Sequence, residues 1–179
     1  MQDEHSQLFR LLIMRHAKSS WSSKAETDHA RPLNNRGRRD APKIGQELVE
    51  RGWAPELVIS SDSQRTRETW EGMADTFDDG EVEVVFTRAL YHAGLAQVEA
   101  LLGSRDDQVR SLMLLGHNPG WHDMVAALCG EKGHKITTAN VALLSHEAHD
   151  GGWPAVIRDR GGWTLHEVLR PKELKRKKG

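Results

Sequence analysis

Leu11-Leu12-Ile13-Met14, Leu57-Val58-Ile59 and Leu112-Met113-Leu114-Leu115 are apolar at every position, and each stops abruptly at a polar, charged or glycine residue. A strand wet on one face alternates in polarity, so unbroken runs of this kind belong to strands covered on both faces, as in a parallel sheet. With these three placed near 10–15, 56–60 and 111–116, further strand candidates lie near 82–86, 140–145 and 163–168. Helical patterns at roughly 34–51, 63–77, 94–103 and 120–129 alternate with them, which implies a three-layer α/β/α sandwich with a mostly parallel central sheet. Pro42 and Gly45 fall inside the first helical pattern, so a kink or restart is expected near Ala41. The 179 residues suit one domain with its core at about 8–170 and flexible ends at 1–7 and 172–179.

The residues just past three of the apolar runs carry the chemistry. The first run ends in Arg15-His16, placing an anion binder beside a nucleophile at a strand end, where open α/β sheets build their ligand crevices. The pair alone fits a surface arginine and a half-buried histidine equally well. After the second run comes Ser60-Ser61-Asp62-Ser63-Gln64-Arg65-Thr66-Arg67-Glu68-Thr69, in which Ser61, Asp62 or Ser63 can cap a helix. Arg65 then falls in the first helical turn, a poor place for a cation unless an anion lies nearby. The third run leads into Gly116-His117-Asn118-Pro119-Gly120, where Asn118 reads as an N-cap, Pro119 as the first helical residue, and His117 as a side chain at the mouth of a helix N-terminus. A polar loop, Asp28-His29-Ala30-Arg31-Pro32-Leu33, offers Arg31 as a phosphate or substrate contact, although an arginine-rich loop is more often simply solvated.

Together these segments resemble the histidine phosphatase superfamily, and more closely its SixA-like phosphohistidine phosphatase branch, in order and over residues from about 10 to 170. The Arg-His-Ala-Lys-Ser wording and the Asp-x-x-Arg-Pro-Leu stretch favour that branch over the mutases. The resemblance implies a phosphoglycerate mutase-like fold. It makes His16 the nucleophile that forms a phosphohistidine intermediate, with Arg15, Arg65 and His117 around the phosphoryl oxygens. That division suits phosphoryl transfer, which needs positioning and charge stabilisation above all. Two neighbouring cations also disfavour protonation of His16 and keep its lone pair available.

Two departures bear on substrate. Ser22 stands six residues after His16, where many relatives have asparagine, and is a candidate phosphate contact. Relatives acting on sugar phosphates carry a glutamate general acid after the third strand, whereas Arg88-Ala89-Leu90-Tyr91-His92-Ala93-Gly94 has no carboxylate. An alcohol leaving group needs a proton, but imidazole, with a conjugate-acid pKa of about 6.5, leaves readily. The missing acid therefore favours a phosphohistidine substrate, and His92 or Tyr91 remains as a possible donor. The partner implied is a phosphorylated histidine phosphotransfer or kinase domain. The alternatives are a phosphomonoesterase of small sugar or nucleotide phosphates, with His92 contacting substrate, and a non-catalytic phosphate-binding module.

Elsewhere the chain narrows the field. A net charge of −1 gives no electrostatic case for nucleic acid or membrane, and the basic end Lys172–Gly179 reads as a solvated tail. The single cysteine, Cys129, reads as helix packing and fits a reducing compartment; with no signal-like start, a cytoplasmic enzyme is expected. No His-Glu-x-x-His motif occurs; His146-Glu147-Ala148-His149 has the wrong spacing, and His117 and His122 do not share a helix face, so neither metal nor cofactor is expected. No phosphate-loop or Gly-x-Ser-x-Gly motif occurs either. Trp21 and Trp121 follow the Arg-His and Gly-His-Asn-Pro-Gly segments closely enough to be candidates for lining the substrate cleft, although tryptophan is normally a core or rim-packing residue. Oligomeric state is not legible.

Overall fold

The computed structural model describes residues 5–77, 82–105 and 108–174; the basic tail beyond 174 and the first four residues lie outside them. Six strands, β1 (Gln7–Arg15), β2 (Leu57–Ser61), β3 (Glu83–Thr87), β4 (Ser111–Gly116), β5 (Val141–Ala148) and β6 (Thr164–Leu169), form one sheet in the order β3-β2-β4-β1-β5-β6. The pairs β3–β2, β2–β4 and β4–β1 are parallel, while β5 runs antiparallel to both β1 and β6. The sheet is thus mostly parallel, and β6 points the same way as β1.

Alternate residues of β1 supply the two cores. Phe9, Leu11 and Ile13 pack on one face with α3 (Leu95–Leu102), α4 (Gly120–Cys129) and α5 (Gly152–Val156). Leu12 and Met14 pack on the other with α1 (Asn35–Glu50) and α2 (Gln64–Ala74). The period of two within an all-apolar run is the mark of a strand sandwiched between helix layers.

The expected restart near Ala41 does not occur, and α1 runs unbroken through Pro42. Its small residues make close helix contacts: a Cβ on Gly45 would lie 2.4 Å from Thr76 Oγ1, and one on Gly72 would lie 3.0 Å from the Ala41 Cβ. Burial of Ala41, Ile44 and Leu48 against α2 outweighs the one backbone hydrogen bond that proline removes. Asn34 caps α1 by accepting from the Gly37 amide at 2.9 Å, and a Cβ on Gly37 would lie 2.2 Å from the Lys18 carbonyl oxygen. The helix start is thereby pressed against the chain just past His16.

Two boundaries and one element differ from expectation. β1 already includes Gln7, whose Oε1 accepts from Arg110 at 2.8 Å, so Gln7 does not belong to a flexible end. Lys172 lies in a short 3-10 turn, Pro171–Glu173, rather than in a loose tail. The five-residue α5 has too few residues to show a helical period, and the sequence reading missed it.

No helix among the described residues is long and apolar enough to cross a membrane.

Candidate active site

From β1 and β2 the chain leaves toward the face covered by α1 and α2, but from β4, which lies between them, it leaves toward α4 on the opposite face. Such a reversal opens a crevice beyond the carboxyl ends of the strands. Arg15 and Gly116 are register partners across β1 and β4, so His16 and His117, each one residue further on, emerge side by side with ring centroids 5.4 Å apart. The backbone of His16 is tied on both sides, its N–H donating to the Gly116 carbonyl and its carbonyl accepting from Ala139 N–H, each at 3.0 Å.

The tautomer of each histidine follows from its partners. His16 Nδ1 lies 2.7 Å from the Ala17 carbonyl, which can only accept, so the proton is on Nδ1 and the Nε2 lone pair is free. His117 Nδ1 lies 3.3 Å from Arg65 Nη2, which can only donate, so this ring carries its proton on Nε2 and gives it to Ser61 Oγ at 2.8 Å. Both nitrogens of His117 are therefore occupied by protein, and donation to a bound phosphate requires one of these bonds to be exchanged.

Arg65 enters from the first turn of α2, where Ser63 is the cap, accepting from the Thr66 amide. It is 2% exposed and donates to the Asp28 carbonyl at 2.8 Å and to Asp28 Oδ2 at 3.1 Å. Arg15 donates to the Ile136 carbonyl at 3.4 Å. Arg31 donates through Nε to Asp28 Oδ1 at 3.1 Å, and its guanidinium lies 3.6 Å from the Trp21 ring centre. All three arginines keep a buried nitrogen with no protein partner: Nε of Arg15, Nη1 of Arg31 and Nε of Arg65. Unpaired buried donors are costly, and guanidinium forks of this kind match the oxygens of a phosphate.

Burial pushes the His16 pKa down to about 3; the Ala17 carbonyl opposes this, and Arg65, Arg15 and Arg31 add to it. His117 is lowered to about 2 by burial first, then by His16, Arg65 and His92, against an opposing contribution from Asp28. Both rings are neutral at physiological pH, as a nucleophile requires. Linkage gives the stability consequence: an unfolded histidine takes up a proton below about pH 6.5, whereas these two stay neutral in the fold, so stability falls as pH drops from there toward 3. Melting temperatures measured between pH 7 and pH 4 should fall steeply for the wild type and clearly less for His16→Asn/His117→Gln.

The largest addition to the sequence reading is Asp28. Its Oδ2 accepts from Tyr91 Oη, from Arg65, and from His92 Nε2 at 3.2 Å. Burial pushes this carboxyl up, but Tyr91, Arg65 and His92 outweigh it and hold Asp28 well below the usual carboxylate range. The same carboxylate, after burial, raises Tyr91. His92 adopts a left-handed backbone, φ 54°, and its ring centre lies 5.0 Å from that of His117. A carboxylate is thus present beside His92 after all, supplied by a loop distant in sequence. The stretch around Asp28 was visible in the sequence, but nothing in it showed that the loop folds back onto the start of α2 and the turn after β3.

The structure brings Arg15, His16, Arg65 and His117 together, with Arg31 and His92 around them. Ser22 does not join: it is exposed, and its hydroxyl lies 3.4 Å from Ser20 Oγ. Trp121 is fully buried, its indole N–H donating to the Met14 carbonyl at 2.9 Å, while Trp21 is 77% exposed over Arg31. Pro119, rather than Asn118, occupies the cap position of α4, although Asn118 Oδ1 still accepts from the His122 amide at 3.1 Å. Cys129 packs partly buried at the far end of α4 and, with Glu131 and His134, forms the one group of three metal-type side chains among the described residues. That group lies at the opposite end of α4 from His117.

The sheet order and helix layers define a phosphoglycerate mutase-like α/β protein. The profile of the histidine phosphatase superfamily, branch 1, matches residues 11–113, and the chain belongs to that superfamily, in its SixA-like branch. A chain assigned as the SixA phosphohistidine phosphatase of Agrobacterium tumefaciens is 27% identical, with a TM-score of 0.74 over 91% of this chain and 98% of that one. A chloroplastic protein of Arabidopsis thaliana with no characterised activity is 34% identical, the match covering 90% of this chain and 78% of that protein. The mycobacterial glucosyl-3-phosphoglycerate phosphatase shares the fold, with a TM-score of 0.62 at 18% identity over 89% of this chain and 98% of that one. Family and neighbours together support phosphatase activity.

Proposed function

We propose that the protein is a metal-independent phosphohistidine phosphatase acting through a phosphoryl-enzyme intermediate on His16. The observation that carries this reading is the set of three buried, unpaired guanidinium nitrogens around a histidine whose Nε2 lone pair is free. In the first step Nε2 of His16 attacks phosphorus in line, the new N–P bond forming as the substrate's own N–P bond breaks and its imidazole departs. The Ala17 carbonyl, accepting from Nδ1–H, stabilises the charge that develops on the His16 ring. In the second step water displaces the phosphoryl group from Nε2 and inorganic phosphate leaves. The arginines supply positive charge fixed at every working pH, which is the part a metal ion plays in other phosphatases. The protein as a whole is read as one domain working in the cytoplasm, where the free thiol of Cys129 suits a reducing setting.

A second reading, hydrolysis of a small phosphate monoester, is favoured by the Asp28–His92–Tyr91 group, which places a proton donor near the site. The test compares phosphate release from a phosphohistidine-bearing phosphotransfer domain with release from a panel of sugar phosphates, using wild type and His92→Asn. Asparagine is chosen because it tolerates the left-handed backbone at this position. The phosphohistidine reading expects the protein substrate to lead in kcat/KM and the variant to turn it over almost unchanged. A lead for sugar phosphates that falls about 10²-fold or more in the variant would instead establish His92 as a general acid for an alcohol leaving group.

A further inference from the structure

Because β5 is antiparallel to β1 and β6 antiparallel to β5, the start of β5 and the end of β6 lie on the same edge of the sheet as His16. A cavity of about 430 Å³ opens there, with Arg36, Lys135, Arg170 and Lys172 facing the single carboxylate of Glu173. Counting Asp40, the partner of Arg36, four cations stand against two carboxylates, a local excess in a chain of net charge −1. Arg170 lies 3.8 Å from Glu173 and Arg36 lies 3.5 Å from Asp40. Lys135 and Lys172 are exposed, and neither is in an ion pair among the described residues.

One segment forms a wall common to this cavity and the catalytic crevice. The Ile136 carbonyl accepts from Arg15, and Ala139 N–H donates to the His16 carbonyl, while Thr137, on the same segment, lines the basic cavity. Two strand spacings separate β1 from β6, so the cavity lies about 10 Å along the edge from the nucleophile. A small anion held tightly calls for guanidinium forks fixed by buried partners, as at Arg65. Here both guanidiniums are already paired, Arg36 with Asp40 and Arg170 with Glu173, and the remaining charges are two exposed ammonium groups from separate segments, one before β5 and one after β6. That arrangement suits the dispersed carboxylates of a protein surface.

We infer that this cavity docks an acidic stretch of a phosphorylated protein substrate, so that the enzyme reads negative charge about 10 Å beyond the transferred phosphoryl group. This inference rests on the phosphoprotein reading above and names how that substrate is recognised. Docking of this kind acts on encounter and KM and leaves the chemical step alone, and it weakens as salt screens the charges.

The test uses the full chain and Lys135→Glu/Lys172→Glu, whose exposed positions leave the fold undisturbed. Binding of a fluorescent Asp/Glu-rich peptide without a phosphoryl group is measured by anisotropy, alongside kinetics with the phosphohistidine domain and with free phosphohistidine. The inference expects peptide binding that weakens about tenfold or more in the double variant and at raised salt. It also expects KM for the domain to rise about tenfold, with kcat and turnover of free phosphohistidine unchanged. Turnover of the domain with the same KM in both proteins would overturn the docking inference and leave the phosphohistidine reading standing. If the domain is not hydrolysed by either protein but peptide binding still depends on the two lysines, the acidic docking site holds and the phosphohistidine reading falls. No peptide binding by the wild type, with KM for the domain unaltered in the variant, overturns the inference.

Discussion

Replacing His16 by alanine is expected to end phosphate release, with kcat down by about 10⁴-fold or more, because a covalent route has no substitute for its nucleophile. The second histidine does not take over: each nitrogen of His117 is engaged, one by Arg65 and one by Ser61. Wild type mixed rapidly with labelled substrate and denatured in alkali should carry the label on protein, and His16→Ala should carry none. Near-ultraviolet circular dichroism checks that the variant is folded, since the lost ring is buried and the Ala17 carbonyl loses its partner. Labelling of the variant to the wild-type extent would remove His16 from the chemistry.

Arg65→Ala should lower kcat/KM by about 10³-fold, which is near the upper end of what removing one preorganised transition-state donor costs. The loss is this large because the guanidinium has three tasks. It keeps an unpaired Nε and helps hold the His16 ring neutral, it donates to Asp28, and it holds the His117 tautomer. Its removal also takes away one of the groups that keep the Asp28 carboxyl low, so that carboxyl rises toward its ordinary range and protonates at higher pH than in the wild type. Arg65→Lys should recover little, since a point ammonium cannot reach the Asp28 carbonyl, the Asp28 carboxylate and His117 together. A kcat/KM within tenfold of wild type for Arg65→Ala would show that the phosphoryl group is held elsewhere.

All six strands were legible, β1, β2 and β4 most plainly, because an apolar run bounded by polar residues is a signal local to a few positions. His16, Arg65 and His117 were legible for a related reason: each stands at or just beyond the break that ends such a run, and strand ends of a parallel sheet share one edge. Asp28 was not assigned to the site because its neighbourhood is made by a loop, and loop paths are set by tertiary contacts that leave no periodicity. Residues 88–94 do lack an acid, yet the space around them does not, since a carboxylate arrives from before α1. Pro42 misled for the opposite reason: its local penalty is real, but Ala41 and Gly45 on either side are the small residues through which α1 approaches α2. Trp121 follows a motif histidine closely in sequence, yet it lies on the buried side of α4, and its indole N–H donates to the Met14 carbonyl.

The register of β1 against β4 separates inheritance from novelty in this molecule. Because Arg15 opposes Gly116 in a hydrogen-bonded ladder, the spacing of the two histidines can change only if the sheet itself slips, and a slip by one residue would turn Leu12 and Met14 out of their core. The stretch before Asp28 and Arg31, which carries Trp21 and Ser22, has no such constraint. Descendants of this chain can exchange the side chains that greet a substrate while the transfer apparatus passes on unaltered. Directed evolution toward a new phosphorylated compound should therefore accumulate its productive changes between residues 20 and 27 and around 91–92, leaving β1 and β4 untouched.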